Sequence, residues 1–362
     1  MSLPSFGING FGRIGRTAAR VWLKSYTNKS ELKVINTSGS MELTDWAHLL
    51  KYDTNYGVLK AKIKLEQQQS KDQVSDDNPV LGVITISTNS NPIREHSITV
   101  LAQRDPAKIP WEKYGVETVI ESTGIFNTQE KASSHFQGGA KQVILSAPPK
   151  GDNVTSIVIG VSDFKHQTSS LKPQIFSNES CTTNCVAPVA QIMVQNFGVE
   201  KAMMTTIHAY TDDQNLHDNS HQDLRRARSA AQNLVPTTTG AARATTRAIK
   251  ELDGLFDGLA IRVPISVGSL ADLTFVTKKT TSIEAVNQAF IEASQTARWQ
   301  GILSVTNDPI VSSDIVGRSE SSIVDLSLTN VVDGNLVKII SWYDNEWGYC
   351  HRLIEQISHL SS

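Results

Sequence analysis

Cysteine is scarce in this chain. Only Cys181, Cys185 and Cys350 occur among 362 residues, too few for a disulfide framework, and a reducing cytosol is the expected compartment. No second close pair accompanies Cys181 and Cys185, so no structural zinc site is expected and no metal is assigned. Net charge is also small: 34 Lys and Arg face 36 Asp and Glu, a formal charge of −2. Without a basic footprint, nucleic acid is not expected as the main partner. No run of 18 apolar residues occurs, which argues against a membrane-spanning helix, and Met1-Ser2-Leu3-Pro4-Ser5 leads into a strand with no basic region or apolar signal core.

What is present is a hydrophobic share of 39% in a chain long enough for two domains. Phe6 to Asn9 reads as a strand, Gly10-Phe11-Gly12-Arg13-Ile14-Gly15 as a glycine turn, Arg16 to Tyr26 as a helix and Leu32 to Ile35 as a second strand. A GxGxxG in this strand, turn, helix, strand setting is a dinucleotide-binding candidate. Gly10 would permit the tight turn, Gly12 the approach of a pyrophosphate, and Gly15 close helix–strand packing. Further strands are expected at Ile98 to Ala102, Thr118 to Glu121, Gln142 to Ser146 and Ser156 to Val161, with a helix around Gln129 to Phe136; such alternation builds a parallel sheet. The polar stretch from Glu66 to Ser97, with a β-rich island at Val80 to Ser87, reads as a surface hairpin with mobile flanks.

The most informative segment is Ser180-Cys181-Thr182-Thr183-Asn184-Cys185. A strand (Gln174 to Ser177) precedes it and a helical pattern (Val186 to Phe197) follows, which sets Cys181 at a helix N-terminus, where unpaired N–H groups and the macrodipole favour thiolate. Met204 to Thr211 reads as a buried strand carrying His208, a base for the thiol. Each residue alone has a plainer explanation, Cys181 as a small core residue and His208 as a satisfied interior histidine. Beyond this point, strands at Leu259 to Ile265, Leu270 to Thr277 and Leu336 to Ser341, with helices near Gly240 to Leu252 and Ser282 to Ser294, indicate a mixed sheet with helices on one face.

These motifs, with Glu121-Ser122-Thr123-Gly124, His208-Ala209-Tyr210-Thr211, Asp223 to Arg228, Pro236 to Ala242, Arg262-Val263-Pro264 and Trp342 to Tyr349, stand in the order and spacing of phosphorylating glyceraldehyde-3-phosphate dehydrogenases, which the chain resembles along nearly its whole length. The resemblance implies an α/β protein with a Rossmann-type doubly wound dinucleotide-binding domain (1–180, with the helix 348–362 packing back on it) and an α+β catalytic domain with a mixed sheet (181–347). It implies Cys181 as nucleophile and His208 as base. Cofactor contacts fall to Asn9, Gly10, Phe11, Gly12, Arg13, Ile14, Gly15, Thr37, Arg104, Ser122, Thr123, Gly124, Asn345 and Tyr349. The substrate phosphate falls to Thr211, Asp213 and Arg262, and the attacking phosphate to Ser180, Thr182, Thr239 and Gly240. Taken singly, Thr237 to Thr239 also suit a helix cap and Arg262 a carboxylate partner. Triose phosphate and inorganic phosphate are the implied small-molecule partners, a homotetramer the implied assembly, and the loop bearing Arg225, Arg226 and Arg228 is implied to lie between subunits.

One departure concerns the cofactor. The family usually carries an Asp after the second strand to accept from the adenosine ribose, whereas this chain reads Val34-Ile35-Asn36-Thr37-Ser38-Gly39-Ser40. NAD is expected, and NADP becomes plausible, with Thr37 and Ser38 as donors to its 2′-phosphate. No Arg or Lys lies between Lys33 and Lys51, so its charge would have to come from a distant residue. The alternatives are an erythrose-4-phosphate dehydrogenase, similar in its Cys–His pair but releasing its acid by water, and an RNA-binding protein reusing the fold, which the mild acidity disfavours.

Overall fold

The computed structural model describes residues 3–88, 94–151, 153–162 and 173–360. They form two compact units, one from the described residues of 1–156, 164–178 and 350–362, the other from those of 157–163 and 179–349.

In the first unit the elements run β1 (Ser5–Asn9), α1 (Arg13–Ser25), β2 (Glu31–Asn36), α2 (Leu43–Lys51), a small hairpin β3 (Tyr52–Asp53) and β4 (Gly57–Val58), β5 (Ala61–Gln67), β6 (Val80–Thr88), β7 (Glu95–Leu101), β8 (Thr118–Glu121), α3 (Gln129–Ala132), β9 (Gln142–Leu145), β10 (Thr155–Ser156) and β11 (Gln174–Ser177). The sheet order is β10-β11-β9-β8-β1-β2-β7-β6-β5. From β10 to β7 all neighbours are parallel. Every residue of β1 and β8 is buried, as expected where side chains on both faces of a parallel sheet meet core. Residues 350–360 of the C-terminal helix join this unit: His351 Nδ1 lies 2.8 Å from Tyr26 Oη, and Leu360 O accepts from Gln142.

The polar stretch 66–97 is the antiparallel edge of this sheet. β6 pairs with both β5 and β7, and β7 begins at Glu95, earlier than its apolar residues indicate. Its first flank is tied back, Gln69 Nε2 donating to the carbonyls of Asn78 (2.8 Å) and Val80 (2.5 Å). The second flank, 89–93, lies outside the described residues.

The strand expected at Ser156 to Val161 is not formed. Only Thr155–Ser156 pairs with the sheet, and the apolar run that follows turns instead. Gly160 sits at φ +86°, packed so closely on Trp299 and Ile302 that a Cβ would meet both near 3 Å, and Ser162 N bonds back to Val158 O. The run is apolar because Ile157, Val158 and Ile159 are buried.

In the second unit, α4 (Cys181–Phe197) leads to β12 (Val199–Ala209), β13 (Val235–Thr238), α5 (Ala241–Ala248), β14 (Phe256–Val263), β15 (Ser269–Thr277), α6 (Ile283–Ser294), β16 (Leu303–Thr306), β17 (Ser322–Asp325), β18 (Asn330–Val332) and β19 (Leu336–Tyr343). The order β13-β14-β12-β15-β19-β17-β16, with β18 on β19, mixes parallel (β12/β14, β16/β17) and antiparallel pairs. Burial alternates strictly along β15, one face covered and the other half-open. α4 packs on β15, β17 and β19, α5 on β14 and α6 on β16. β14 ends at Val263, before Pro264, which has no N–H to extend the ladder.

Candidate active site

Asn9 ends β1, and Gly10 turns the chain at φ +95° with its Cα pressed against the Ser122–Thr123 backbone; a Cβ there would lie 2.7 Å from Thr123 N. Gly15 is packed equally hard on Gly10 O, 2.2 Å from where its Cβ would be. Around Gly12, by contrast, a Cβ would meet open space, and α1 begins there with no side-chain cap. The turn is thus closed by contact at Gly10 and Gly15 and left open at Gly12, above uncapped helix N–H groups that suit a pyrophosphate.

Side chains around the turn are mostly spent on the protein itself. Phe11 is core, its ring 6.1 Å from that of Trp46. The Arg13 guanidinium pairs with Asp53. Ser122 Oγ bonds to Gly10 O at 2.7 Å, and both Thr123 N and Thr123 Oγ1 donate to Glu121. Gly124 follows at φ +74°. Asn9, Ile14, Ser122, Thr123 and Gly124 can therefore meet a dinucleotide chiefly through backbone. At the end of β2, Asn36 is buried and fully used: its amide donates to Asn9 Oδ1 (2.7 Å) and Gln103 O (2.8 Å), and its oxygen accepts from Gln103 N (2.9 Å). Thr37 is buried as well and gives its hydroxyl proton to Leu101 O at 3.0 Å. This corrects the expectation that Thr37 donates to a 2′-phosphate. Ser38 and Ser40 keep exposed hydroxyls, 2.9 Å apart, and Arg104 Nε donates to Ser38 O at 3.2 Å. Arg104 thus brings a cation to a loop that has no Arg or Lys of its own between Lys33 and Lys51.

In the second unit Ser180 caps α4, its Oγ accepting from Thr183 N at 3.0 Å, so Cys181 is the first helical residue. The residue before the cap, Glu179, is buried at φ +55°, an uncommon conformation for a side-chain-bearing residue. Its carboxylate accepts from Arg247 at 3.2 Å and its carbonyl from the Tyr349 phenol at 2.9 Å. Cys181 Sγ lies 3.4 Å from His208 Nε2. The His208 Nδ1 is 2.7 Å from Ala209 O, an acceptor only, so Nδ1 carries the proton and Nε2 presents its lone pair to sulfur.

Burial holds His208 down to about 3, with the Arg262 guanidinium acting in the same direction. Burial also pushes the Cys181 thiol up, opposed by Arg262 and by Thr182 beside it. Burial thus favours the neutral imidazole at His208, and at Cys181 it works against the thiolate that a helix N-terminus favours. Cys185, one turn on, is held near 12 by burial.

Thr182 Oγ1 lies 2.9 Å from the Tyr343 phenol, which is 2.8 Å from Thr206 Oγ1; Thr206 in turn donates to Leu270 O. The Tyr343 ring meets His208 edge-on, centroids 5.9 Å apart. Arg262 is the register partner of His208 across β12 and β14 and donates to Thr211 Oγ1 at 2.5 Å. Thr211 bonds to Asp213, whose carboxyl is raised by burial yet held below its ordinary value by Thr211 and the guanidiniums of Arg262 and Arg226. Thr239 Oγ1 accepts from Ala241 N at 3.2 Å, capping α5, whose N-terminus is Gly240. Asn345 Oδ1 accepts from Gly268 N and Ser269 Oγ, which leaves its N–H₂ pair as what it can offer a ligand.

The N-terminal part of the chain, residues 5–129, matches the family description "Glyceraldehyde 3-phosphate dehydrogenase, NAD binding domain", and residues 180–345 match "Glyceraldehyde 3-phosphate dehydrogenase, C-terminal domain". Glyceraldehyde-3-phosphate dehydrogenase of Streptomyces coelicolor is 46% identical over 349 residues, 96% of each chain. That of Mycobacterium avium is 45% identical over 353 residues (97% of each), and glyceraldehyde-3-phosphate dehydrogenase 1 of Bacillus cereus 42% over 360 (99% of each). The chain belongs to the glyceraldehyde-3-phosphate dehydrogenase family. It is an oxidoreductase acting on an aldehyde, with an NAD(P)-binding domain. Among the described residues no helix is long and apolar enough to cross a membrane, and no cluster of three metal-ligating side chains occurs.

Within this dehydrogenase, two side chains join the anion cluster that sequence reasoning left out. Arg226 bridges Asp213 (2.7 Å), Thr237 Oγ1 (2.9 Å) and Thr238 O (3.4 Å), joining Asp213 of the implied substrate-phosphate group to the strand that leads into Thr239. Gln214 is nine-tenths buried, accepts from Thr211 N through Oε1, and has a buried Nε2 with no partner; Arg262 Nε is likewise unpartnered. Unsatisfied buried donors are costly unless a ligand meets them. The signal for Gln214 was its place directly after Asp213.

Proposed function

We propose that the chain converts D-glyceraldehyde 3-phosphate and inorganic phosphate to 1,3-bisphosphoglycerate, the glycolytic and gluconeogenic step, through a thiohemiacetal and a thioester on Cys181. The observation that carries this reading is the 3.4 Å approach of Cys181 Sγ to a histidine nitrogen whose lone pair faces it. His208 takes the thiol proton as sulfur bonds to the aldehyde carbon, returns it to the alkoxide, and takes it again as hydride leaves. A nicotinamide cofactor, when bound, would supply the hydride acceptor. The thioester that remains is attacked by phosphate oxygen, the C–S bond breaks, and Cys181 is regenerated as the acyl phosphate departs. The N–H groups at the start of α4 steady the oxyanion in both addition steps. Thr211, Asp213 and Arg262 hold the substrate phosphate, joined by Gln214. Ser180, Thr182, Thr239 and Gly240 receive the attacking phosphate, with Arg226 at their edge.

The glycine turn from Asn9 to Gly15 holds the pyrophosphate, and the Asn345 N–H₂ orients the nicotinamide carboxamide. Both NAD and NADP serve as cofactor. No carboxylate stands at the end of β2 to repel a 2′-phosphate, and Arg104 with the Ser38 and Ser40 hydroxyls supplies charge and donors. Assembly as a homotetramer is supported by Leu216, Leu224 and Leu234, 69% to 80% exposed in the loop between β12 and β13, and by Met203 and Leu259 on the half-open sheet face. A reducing cytoplasm suits three cysteines kept as thiols. The test is reduced-nicotinamide absorbance with glyceraldehyde 3-phosphate, with and without phosphate and with each cofactor. Turnover that requires phosphate supports the reading, and phosphate-independent turnover on erythrose 4-phosphate overturns it.

A further inference from the structure

The polar excursion between β5 and β6 is bonded at two places that bracket the loop after β2. On one side, Gln67 Nε2 (3.0 Å) and Lys71 N (3.2 Å) donate to Glu42, the N-cap residue of α2, two residues beyond Ser40. On the other, Asp76 accepts from Gln103 Nε2 at 3.2 Å and from Lys108 Nζ, so one carboxylate holds both ends of the 103–108 segment that carries Arg104. Gln103 is buried; its Oε1 also accepts from Asp105 N, and its backbone is fixed to Asn36 on both N–H and C=O. The Pro79 carbonyl accepts from Ala102 N, and the Ala102 Cβ lies 3.2 Å from where a Gly39 Cβ would be. The Ser38–Ser40 loop is therefore held at its start by Thr37 on Leu101, at its end through Glu42, and across its face by the Arg104 corner.

We infer that the 68–79 excursion is a cofactor-specificity device: Asp76 is a positioning residue that presets Arg104 against the Ser38–Ser40 loop for a ribose 2′-phosphate. The inference rests on the dual-cofactor reading above. Asp76 touches no cofactor atom in this scheme; its carboxylate fixes the corner from which the Arg104 guanidinium reaches Ser38 O. Preorganisation of this kind favours the cofactor that engages Arg104 and leaves the other nearly unaffected.

The experiment is a double-mutant cycle read as the ratio of kcat/KM for NADP to that for NAD, on the full-length enzyme. Asp76→Ala is expected to lower the ratio about threefold to tenfold, more than an exposed ion pair alone carries, because the buried Gln103 amide loses its acceptor. Asp76→Asn, whose amide oxygen still accepts from Gln103, is expected to restore part of the ratio. In an Arg104→Ala background, Asp76→Ala is expected to change nothing further. A wild type that uses both cofactors, with a ratio untouched by Asp76→Ala or lowered equally with and without Arg104, overturns the inference and leaves the cofactor reading standing. A wild type favouring NAD by more than about three orders of magnitude overturns that reading, and the inference with it.

Discussion

Asn345 and His208 are joined through a single serine. Ser269 Oγ donates to Asn345 Oδ1 at 3.0 Å and accepts from Ala209 N at 3.2 Å, while Ala209 O receives the His208 Nδ1 proton. The amide proposed to orient nicotinamide and the base proposed to serve Cys181 thus share one support. Ser269→Ala removes it while changing volume little; because Gly268 N still holds Asn345 Oδ1, the loss of stability is expected at about 1–3 kcal/mol. Both kcat and cofactor affinity are expected to fall, and steady-state kinetics with calorimetric cofactor binding measures each. A loss of stability alone, with both unchanged, would show that the link has no part in the reaction.

Cys181→Ser is expected to abolish hydride transfer while cofactor binding survives, since a serine hydroxyl is a far weaker nucleophile beside the same imidazole. Cys185→Ser is expected to be mild for chemistry: its sulfur is buried beside Ser341 Oγ at 3.5 Å, and burial keeps it protonated. Iodoacetamide labelling with peptide mapping is expected to mark Cys181 first, in step with loss of activity.

His208→Asn is expected to lower kcat by about 10²–10⁴-fold, the usual contribution of a positioned acid–base group. Its titration also bears on stability. The imidazole is held down to about 3, so the unfolded chain takes up a proton near the ordinary 6.5 that the folded chain refuses. Stability is therefore full above pH 6.5 and is lost as pH falls through the window down to about 3. The melting temperature of the wild type is expected to drop more between pH 7 and pH 5 than that of His208→Asn. Equal drops would mean that the imidazole is not held neutral.

Arg262→Ala is expected to weaken triose phosphate more than the cofactor, as loss of a guanidinium fork on phosphate implies. Gln214→Glu replaces an unpartnered donor with a negative charge and is expected to raise KM for glyceraldehyde 3-phosphate by at least about tenfold, with little change for unphosphorylated glyceraldehyde. Comparing the two substrates separates phosphate recognition from a general disturbance of the strand end; equal loss on both would remove Gln214 from the phosphate site.

The local parts of this molecule were legible in the sequence because their physics is local. A glycine turn between strand and helix, a small polar hexapeptide before a helix, and a histidine near the end of an apolar strand each announce themselves within a dozen residues. Where contacts reach far along the chain, the sequence was silent. Arg104 lies 66 positions from Ser38, and Tyr343 lies 161 from Thr182. Thr37 looked available because its partner, Leu101 O, is a backbone atom of another strand. Ser156 to Val161 reads as strand from its apolar residues, yet Gly160 at φ +86° turns it. The burial of Cys181 was hidden for the same reason: the helix N-terminus that favours thiolate is visible in sequence, the burial that works against it is not.

The central claim is that reduction of the nicotinamide and release of the acyl group are separate steps on Cys181, joined by a thioester that awaits phosphate. Rapid mixing of enzyme, glyceraldehyde 3-phosphate and NAD without phosphate tests it most directly. The expected result is a burst of reduced nicotinamide approaching one equivalent per Cys181, followed by near-arrest, with turnover resuming when phosphate or arsenate is added. Steady turnover without phosphate and with no burst would contradict the account.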